Sequence, residues 1–385
     1  MVSILKVFIG FTIMISGCNL SPLLFSLFIN KLGHQLNSTG CGVDLGPINI
    51  SAVFFADDIA LFGKSSAALE KLMGITRSFF FTHHLVLSES KSKVMKYDAR
   101  TEKMTFLGSS DFSSISLEEV VSFKYLGIHL SCSPYSLFKT YNEQVKKKAR
   151  NYMQSVLSMA RSGPDRSELA HALWSRCALP SILYGCEIMP LNQGTISEVE
   201  RCQSLVGKFI LQLPRNSTNV VANLDAGLKP VLFIIAERVI KYSSNLMKKP
   251  SSYWPKIALT ENLNLGSGNP YTKYLMKMKS ATNCYGVGLS QIRKNVDSAA
   301  IVSVLDSQRT SCVSSFAINM TKGVWFRPKA WVNDSPLSKI LSEFRSCNSS
   351  LGNRGPTKDG RFFKLCPLCE AKGVFACNNE VRSLQ

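Results

Sequence analysis

The chain has 385 residues, enough for two or three domains with ample buried core. It carries 45 Lys+Arg against 26 Asp+Glu, a formal net charge of +19, and its 12 cysteines are scattered. The thiol pattern excludes a disulfide-stapled scaffold and suits reduced cysteines in cytosol or nucleus, while the charge suits a polyanionic partner. The charge is uneven: residues 1–130 hold 11 Lys+Arg against 10 Asp+Glu, so the remainder holds 34 against 16.

The first stretch is apolar. Residues 7–30 carry no charged side chain, which is nearly long enough to span a bilayer. Lys6 followed by an apolar run to Ser16 and Gly17 also has the pattern of a secretory leader. Ser16, Asn19, Ser21, Pro22, Ser26 and Asn30 dilute that pattern. The block Gly17-Cys18-Asn19-Leu20-Ser21-Pro22, continuing to Asn30, reads instead as a helix start. Glycine lets a backbone approach a ligand closely, and proline suits the first helical turn.

Next come two apolar runs separated by acids. Ile48, Ile50, Ala52, Val53, Phe54, Phe55 and Ala56 predict one strand, and Ile59 to Phe62 a second. Chain reversal at Asp57-Asp58 gives a hairpin with two carboxylates at its tip. Such a pair about 4 Å apart repels by roughly 4 kcal/mol at an effective dielectric of 20. Solvent relieves it in an ordinary turn; a divalent cation relieves it in a site. Two further blocks follow, Leu85-Val86-Leu87-Ser88-Glu89-Ser90-Lys91-Ser92-Lys93 and Phe123-Lys124-Tyr125-Leu126-Gly127-Ile128.

Beyond residue 130 the pattern turns helical. Leu137, Tyr141, Val145, Ala149, Tyr152, Val156 and Met159 mark one helix face, with Lys146, Lys147, Lys148 and Arg150 crowding the rest. Gly163-Pro164 breaks that helix, Asp165 caps another, and Pro180 ends it. Thr195-x-x-Glu198 predicts a capping box for a helix to about Gln212. A further helix starts near Pro230, with Leu232, Ile235, Val239, Tyr242 and Leu246 on one side. Asn, Ser and Gly accumulate at 260–270 and 347–360, which predicts linkers. Lys273, Lys277 and Lys279 with Tyr271 and Tyr274 read either as a basic, aromatic surface or as a solvated helix. The five histidines show no ligand spacing.

The acid pair and its three flanking blocks, in this order and spacing, resemble the reverse transcriptase of non-LTR (LINE-type) retrotransposons. The resemblance is most specific over residues 17–130. It implies an α+β fold: a partial palm (1–130), antiparallel strands with helices on one face, then a helical thumb-like region (131–250) and a basic, poorly ordered tail (251–385). It implies RNA-directed DNA synthesis, with an RNA template, a DNA primer, dNTP and Mg²⁺ as partners. Asp57 and Asp58 would hold the metal. Gly17, Leu20, Ser21 and Pro22 would lie beside nucleotide and template, and Lys91 and Lys93 near nucleotide phosphates. For the lysines a solvated turn remains an equal alternative. Tyr125, Leu126 and Gly127 would grip the primer end, with a plain buried strand as the alternative. Lys146, Lys147, Lys148 and Arg150 would lie along the nucleic-acid backbone, or form a solvated face.

The departures carry weight. Ser16 stands where the family usually has Gln, and Asn19 where it often has Pro. No acid occurs before Asp44, whereas the family places another catalytic aspartate on an upstream strand. These features predict a truncated element lacking the fingers and first palm strand, with residues 1–16 as exposed apolar sequence and polymerisation lost. The alternative is a non-catalytic nucleic-acid binder using the basic helical half. Cys366 and Cys369 form half of a zinc knuckle. Cys377 could add a third ligand, but Arg382 stands where the family commonly has His.

Overall fold

The alternation around residue 58 places a hairpin at the edge of a five-stranded antiparallel sheet in the computed structural model. The described residues are 2–10, 21–97, 109–112, 115–132, 134–163 and 165–308. They fall in two compact units, Met1–Tyr141 with Pro250–Asn264, and Asn142–Lys249 with Leu265–Gln385.

In the first unit, strands β1 (Val2–Gly10), β4 (Ala52–Phe55), β5 (Asp58–Gly63), β6 (Val86–Leu87) and β7 (Lys93–Tyr97) form the sheet. Its order is β4-β5-β1, with both β6 and β7 pairing the far side of β1. A small ribbon of β2 (Val43–Leu45) and β3 (Ile48–Ile50) precedes β4. Helices α1 (Ser21–Asn37) and α2 (Ser66–Thr82) pack against the strands. The period-2 pleat sorts β5: Ile59 and Leu61 are fully buried in one cluster with Ile29, Leu32 and Leu36 of α1 and Leu69, Leu72 and Met73 of α2. Each such side chain contributes about 2 kcal/mol by leaving water. Asp58, which alternates with Ile59, belongs to the face away from the helices. Ser65 caps α2, its side chain accepting from the Ala68 N–H at 3.1 Å.

Strand β1 gives part of the N-terminal piece, expected as exposed apolar sequence, a place in the sheet. Residues 2–10 lie centrally, paired from Ser3–Gly63 to Phe8–Asp58 with β5 and from Val2–Tyr97 to Lys6–Lys93 with β7. The β-branched run Val2, Ile4, Val7, Ile9 suits a strand covered on both edges. Of the uncharged stretch 7–30, residues 7–10 lie in a strand and residues 21–30 in a helix whose Phe25 and Ile29 enter the core. Among the described residues no helix is long and apolar enough to cross a membrane.

Two more hairpins follow, β8 (Ser109–Phe112) with β9 (Ile115–Glu118), and β10 (Ser122–Tyr125) with β11 (Ile128–Ser131). Helix α3 (Pro134–Arg161) buries Tyr141, Val145, Ala149, Val156 and Ala160. Tyr152 and Met159, expected on that face, are exposed. A period of 3.6 residues carries the buried stripe from Ala149 to Val156 and Ala160 instead.

The second unit is helical: α4 (Arg166–Ala172), α5 (Leu179–Ile182), α6 (Gln193–Ile210), α7 (Asn219–Asp225), α8 (Val231–Met247), α10 (Pro270–Thr282) and α11 (Leu289–Gln308). Helix α9 (Trp254–Asn264) belongs to the first unit. Asp165 caps α4, accepting from the Glu168 N–H at 2.9 Å, as the sequence predicts. Pro180 does not stop the helical path, which runs to Ile182. A π-helical segment, Leu173–Ala178, intervenes, so Pro180 enters the first turn of α5, where a missing N–H is tolerated. The cap of α6 is Asn192, three residues ahead of the predicted Thr195; its side chain accepts from the Thr195 N–H at 2.8 Å. Glu198 is drawn instead into ion pairs. The 260–270 linker shrinks to a short turn, Gly266–Gly268, ahead of α10. Tyr274 of α10 is buried, donating to the Cys186 carbonyl at 3.2 Å, so it cannot form a basic, aromatic surface with the nearby lysines.

Candidate active site

The acid hairpin is the tightest reversal a sheet allows. Phe55 pairs with Asp58, leaving Ala56 and Asp57 as a two-residue loop. Two-residue loops favour turns with a left-handed first residue, and Ala56 has φ +50°. A side chain in that region costs about 1–2 kcal/mol. Asp57 is exposed on the loop, whereas Asp58 is half-buried as the first residue of β5. The two acids therefore separate by environment rather than sharing one tip.

Asp58 has a second register partner, Phe8 on β1. The same end of β1 pairs through Ile9 and Gly10 with Leu87 and Val86. The turn that follows, Glu89–Lys91, packs against β1, which brings the exposed Lys91 toward the acid end of the sheet. Lys93 lies further down: it pairs with Lys6, two residues before Phe8. Strand spacings put its Cα roughly 12 Å from that of Asp58. Its ammonium is engaged by Glu118, and Lys96 pairs with Glu119 on the neighbouring segment.

The second predicted block forms another two-residue hairpin. Tyr125 pairs with Ile128, and Leu126 and Gly127 have φ +46° and +82°. Two left-handed residues in succession define a type I′ turn, where glycine is natural and leucine is strained. Tyr125 of this ribbon lies within electrostatic reach of Asp58. Burial pushes the Tyr125 phenol above its ordinary value, and the charge of Asp58 adds to the effect.

Ser21 and Pro22 open α1. Gly17, Leu20, Cys366, Cys369 and Cys377 lie outside the described residues. Of the basic set on α3, Lys146 pairs with Glu143 at 3.0 Å and Arg150 Nε donates to Glu198 Oε1 at 2.6 Å. Arg201 and Arg150 together hold Glu198 down at about 2. Lys147 is exposed and Lys148 half-buried. The sequence does not reveal Glu200. It is half-buried on α6, accepting from Asn223 Nδ2 of α7 at 2.8 Å and from the Val231 N–H at the start of α8 at 2.6 Å. Burial raises its carboxyl to about 7. A glutamate two residues beyond Glu198 of the Thr195-Glu198 box gives no sequence signal of this kind.

The donor set limits which metals the turn can hold. Asp57 and Asp58 offer two carboxylates, enough for one Mg²⁺ completed by water and a substrate phosphate. A two-ion clamp draws on further oxygen ligands. The strand partners of Asp58 are Phe8 and Phe55, which offer none. Among the described residues no group of three or more His, Cys, Asp or Glu could hold a metal ion.

Residues 5–130 match the family described as reverse transcriptase (RNA-dependent DNA polymerase). The match begins inside β1 and ends in β11, so it takes in the acid-bearing sheet except the first three residues of β1. The chain is also 28% identical, over 181 residues, to the Retrovirus-related Pol polyprotein from type-2 retrotransposable element R2DM of Drosophila melanogaster. That alignment covers 44% of this chain and 16% of the relative.

Proposed function

We propose that this chain, a reverse transcriptase of the non-LTR retrotransposon kind through residues 5–130, is a portion of an RNA-directed DNA polymerase that holds primer and template without extending the primer itself. The observation that carries the reading is the family match centred on a two-residue hairpin bearing Asp57 and Asp58. In this reading the acid turn faces the nucleotide phosphates. Gly17, Leu20, Ser21 and Pro22 border the nucleotide and template. Lys91 and Lys93 lie near those phosphates, with Lys93 also paired to Glu118. Tyr125, Leu126 and Gly127 meet the primer end. Lys147 and Lys148 supply backbone affinity, since phosphate contacts by lysine and arginine dominate non-specific binding.

Magnesium bound by Asp57, Asp58 and a phosphate would neutralise charge and orient that phosphate. The two-ion arrangement does not fit the residues beside Asp58, so no bond-forming step is assigned to this chain. An RNA/DNA primer–template is the test. The 385-residue chain is expected to shift it in a gel, less so as salt rises, and to give no extension with Mg²⁺ and dNTP. Extension that disappears in Asp57→Ala would overturn the inactive assignment. Failure to bind at low salt would overturn the whole reading.

A further inference from the structure

We infer that a cavity in the second unit takes a single guanine base from an unpaired stretch of nucleic acid, with Glu200 and Asn223 reading its edge. The inference rests on the nucleic-acid part of the reading above and is independent of polymerisation. The cavity has a volume of about 340 Å³ and is lined by α6, α7 and the start of α8. That is the lower end of the range for small-ligand sites, about 300–1,000 Å³, which suits one nucleoside and not a stacked strand. Ile196, Leu224 and Leu232 give it apolar sides that can cover the face of a base. Glu200 and Asn223 line it too. Glu200 Oε1 already accepts from Asn223 Nδ2, and Oε2 from the Val231 N–H. A carboxylate has about four lone-pair sites, so each oxygen keeps one. Asn223 is only 6% exposed, and its Oδ1 finds no partner among the described residues. Three acceptor positions are thus left open on two neighbouring side chains. Guanine is the standard base with three N–H hydrogens on one edge, one on N1 and two on N2. Adenine and cytosine offer two on a single nitrogen, uracil and thymine one. A guanidinium cation also offers donors in a row, but a chain of net charge +19 repels cations and attracts polyanions. Arg150 and Arg201 share one carboxylate, Glu198, a turn or less from Glu200 on α6. One net positive charge therefore stands beside the cavity, which Arg201 also lines.

The probes are fluorescently labelled oligouridylates carrying one central guanosine, inosine or adenosine, titrated with the whole chain and read by anisotropy. Burial raises the Glu200 carboxyl to about 7, so the assay runs one pH unit higher, where it is ionised. The guanosine oligomer is expected to bind about tenfold or more tightly than the adenosine one. Inosine lacks the 2-amino group and should lose most of that preference. Glu200→Gln exchanges one acceptor for a donor and should abolish the preference while leaving plain oligouridylate binding unchanged. Ser197 is exposed on α6 and lines the cavity, so Ser197→Phe should block it without removing a core contact. The preference should vanish there too, and this variant decides if Glu200→Gln fails to fold. Equal binding of the guanosine and adenosine oligomers by the wild type would overturn the inference. So would a preference that survives in either folded variant, or free arginine competing as well as free guanosine. If no oligomer binds, the nucleic-acid reading fails, and calorimetric titration with free guanosine against adenosine still decides the cavity.

Discussion

The phenol of Tyr125 is raised by its burial and, beyond that, by the negative charge of Asp58. Two hairpins separated by 67 residues of chain thus converge, one bringing a carboxylate and the other a hydroxyl. Replacing Asp58 by Asn removes the charge while keeping the shape. The Tyr125 transition, isolated as the ultraviolet difference between each protein and its Tyr125→Phe counterpart, should move to lower pH in Asp58→Asn. It should stay above the ordinary tyrosine value, because burial, the larger cause, persists. An unmoved transition would mean that the two hairpins do not meet in solution.

Ala56 stores strain at the turn that presents the acids. Glycine adopts φ +50° without penalty but loses more backbone entropy on folding. The first effect exceeds the second, so Ala56→Gly should raise stability by up to about 1 kcal/mol. Chemical denaturation followed by circular dichroism measures it. A destabilised variant would show that the alanine side chain makes a contact worth more than the strain.

Leu61 is fully buried where β5 meets α1 and α2. Leu61→Ala removes three carbons and leaves a cavity in a close-packed core, so it should cost about 3 kcal/mol. Val53, exposed on β4, is the control; Val53→Ala should cost under about 1 kcal/mol. Urea unfolding that ranked the two equally would contradict the assigned faces of the sheet.

These features were unequally legible. The acid hairpin could be read because a polar doublet breaks an apolar alternation, and turn chemistry then fixes the reversal. Even so, the sequence does not say that Asp57 takes the loop and Asp58 the strand; that follows from the Phe55–Asp58 pairing. Strand β1 was illegible as a sheet member because an apolar run has the same pattern whether it is paired, membrane-bound or exposed. Only its neighbours decide. Caps were read locally and missed globally: Thr195 has the right spacing to Glu198, but Glu198 gains more from Arg150 and Arg201. Glu200 could not be found at all, since its role depends on α7 and α8 arriving from elsewhere in the chain.

Glu200 makes the second unit pH-sensitive. Its carboxyl is raised to about 7 in the fold, against an ordinary 4.5. The folded state therefore holds this proton more tightly than the unfolded chain. The resulting stabilisation is complete below about 4.5 and is lost as pH rises through about 7. A shift of this size corresponds to about 3 kcal/mol. Glu200→Gln cannot titrate, so its stability should change less between these two values. It also gives up one acceptor, to the Val231 N–H or to Asn223, and should be less stable in absolute terms. Parallel pH profiles of Tm for the two proteins would refute the assignment.

The basic face of α3 divides into engaged and available charge. Arg150 is committed to Glu198 and Lys146 to Glu143, whereas Lys147 is exposed. A cation already paired releases little counterion when phosphate arrives, because the partner carboxylate must first be displaced. Lys147→Ala should therefore lower the slope of log K against log salt by about 1 for a nucleic-acid duplex. Arg150→Ala should change that slope less. Its main effect should fall on folding, since it leaves Glu198 with Arg201 alone. Filter binding across a salt series separates these outcomes. Equal slope changes for both variants would mean that the Arg150–Glu198 pair opens freely. No change for Lys147→Ala would remove this face of α3 from the interface.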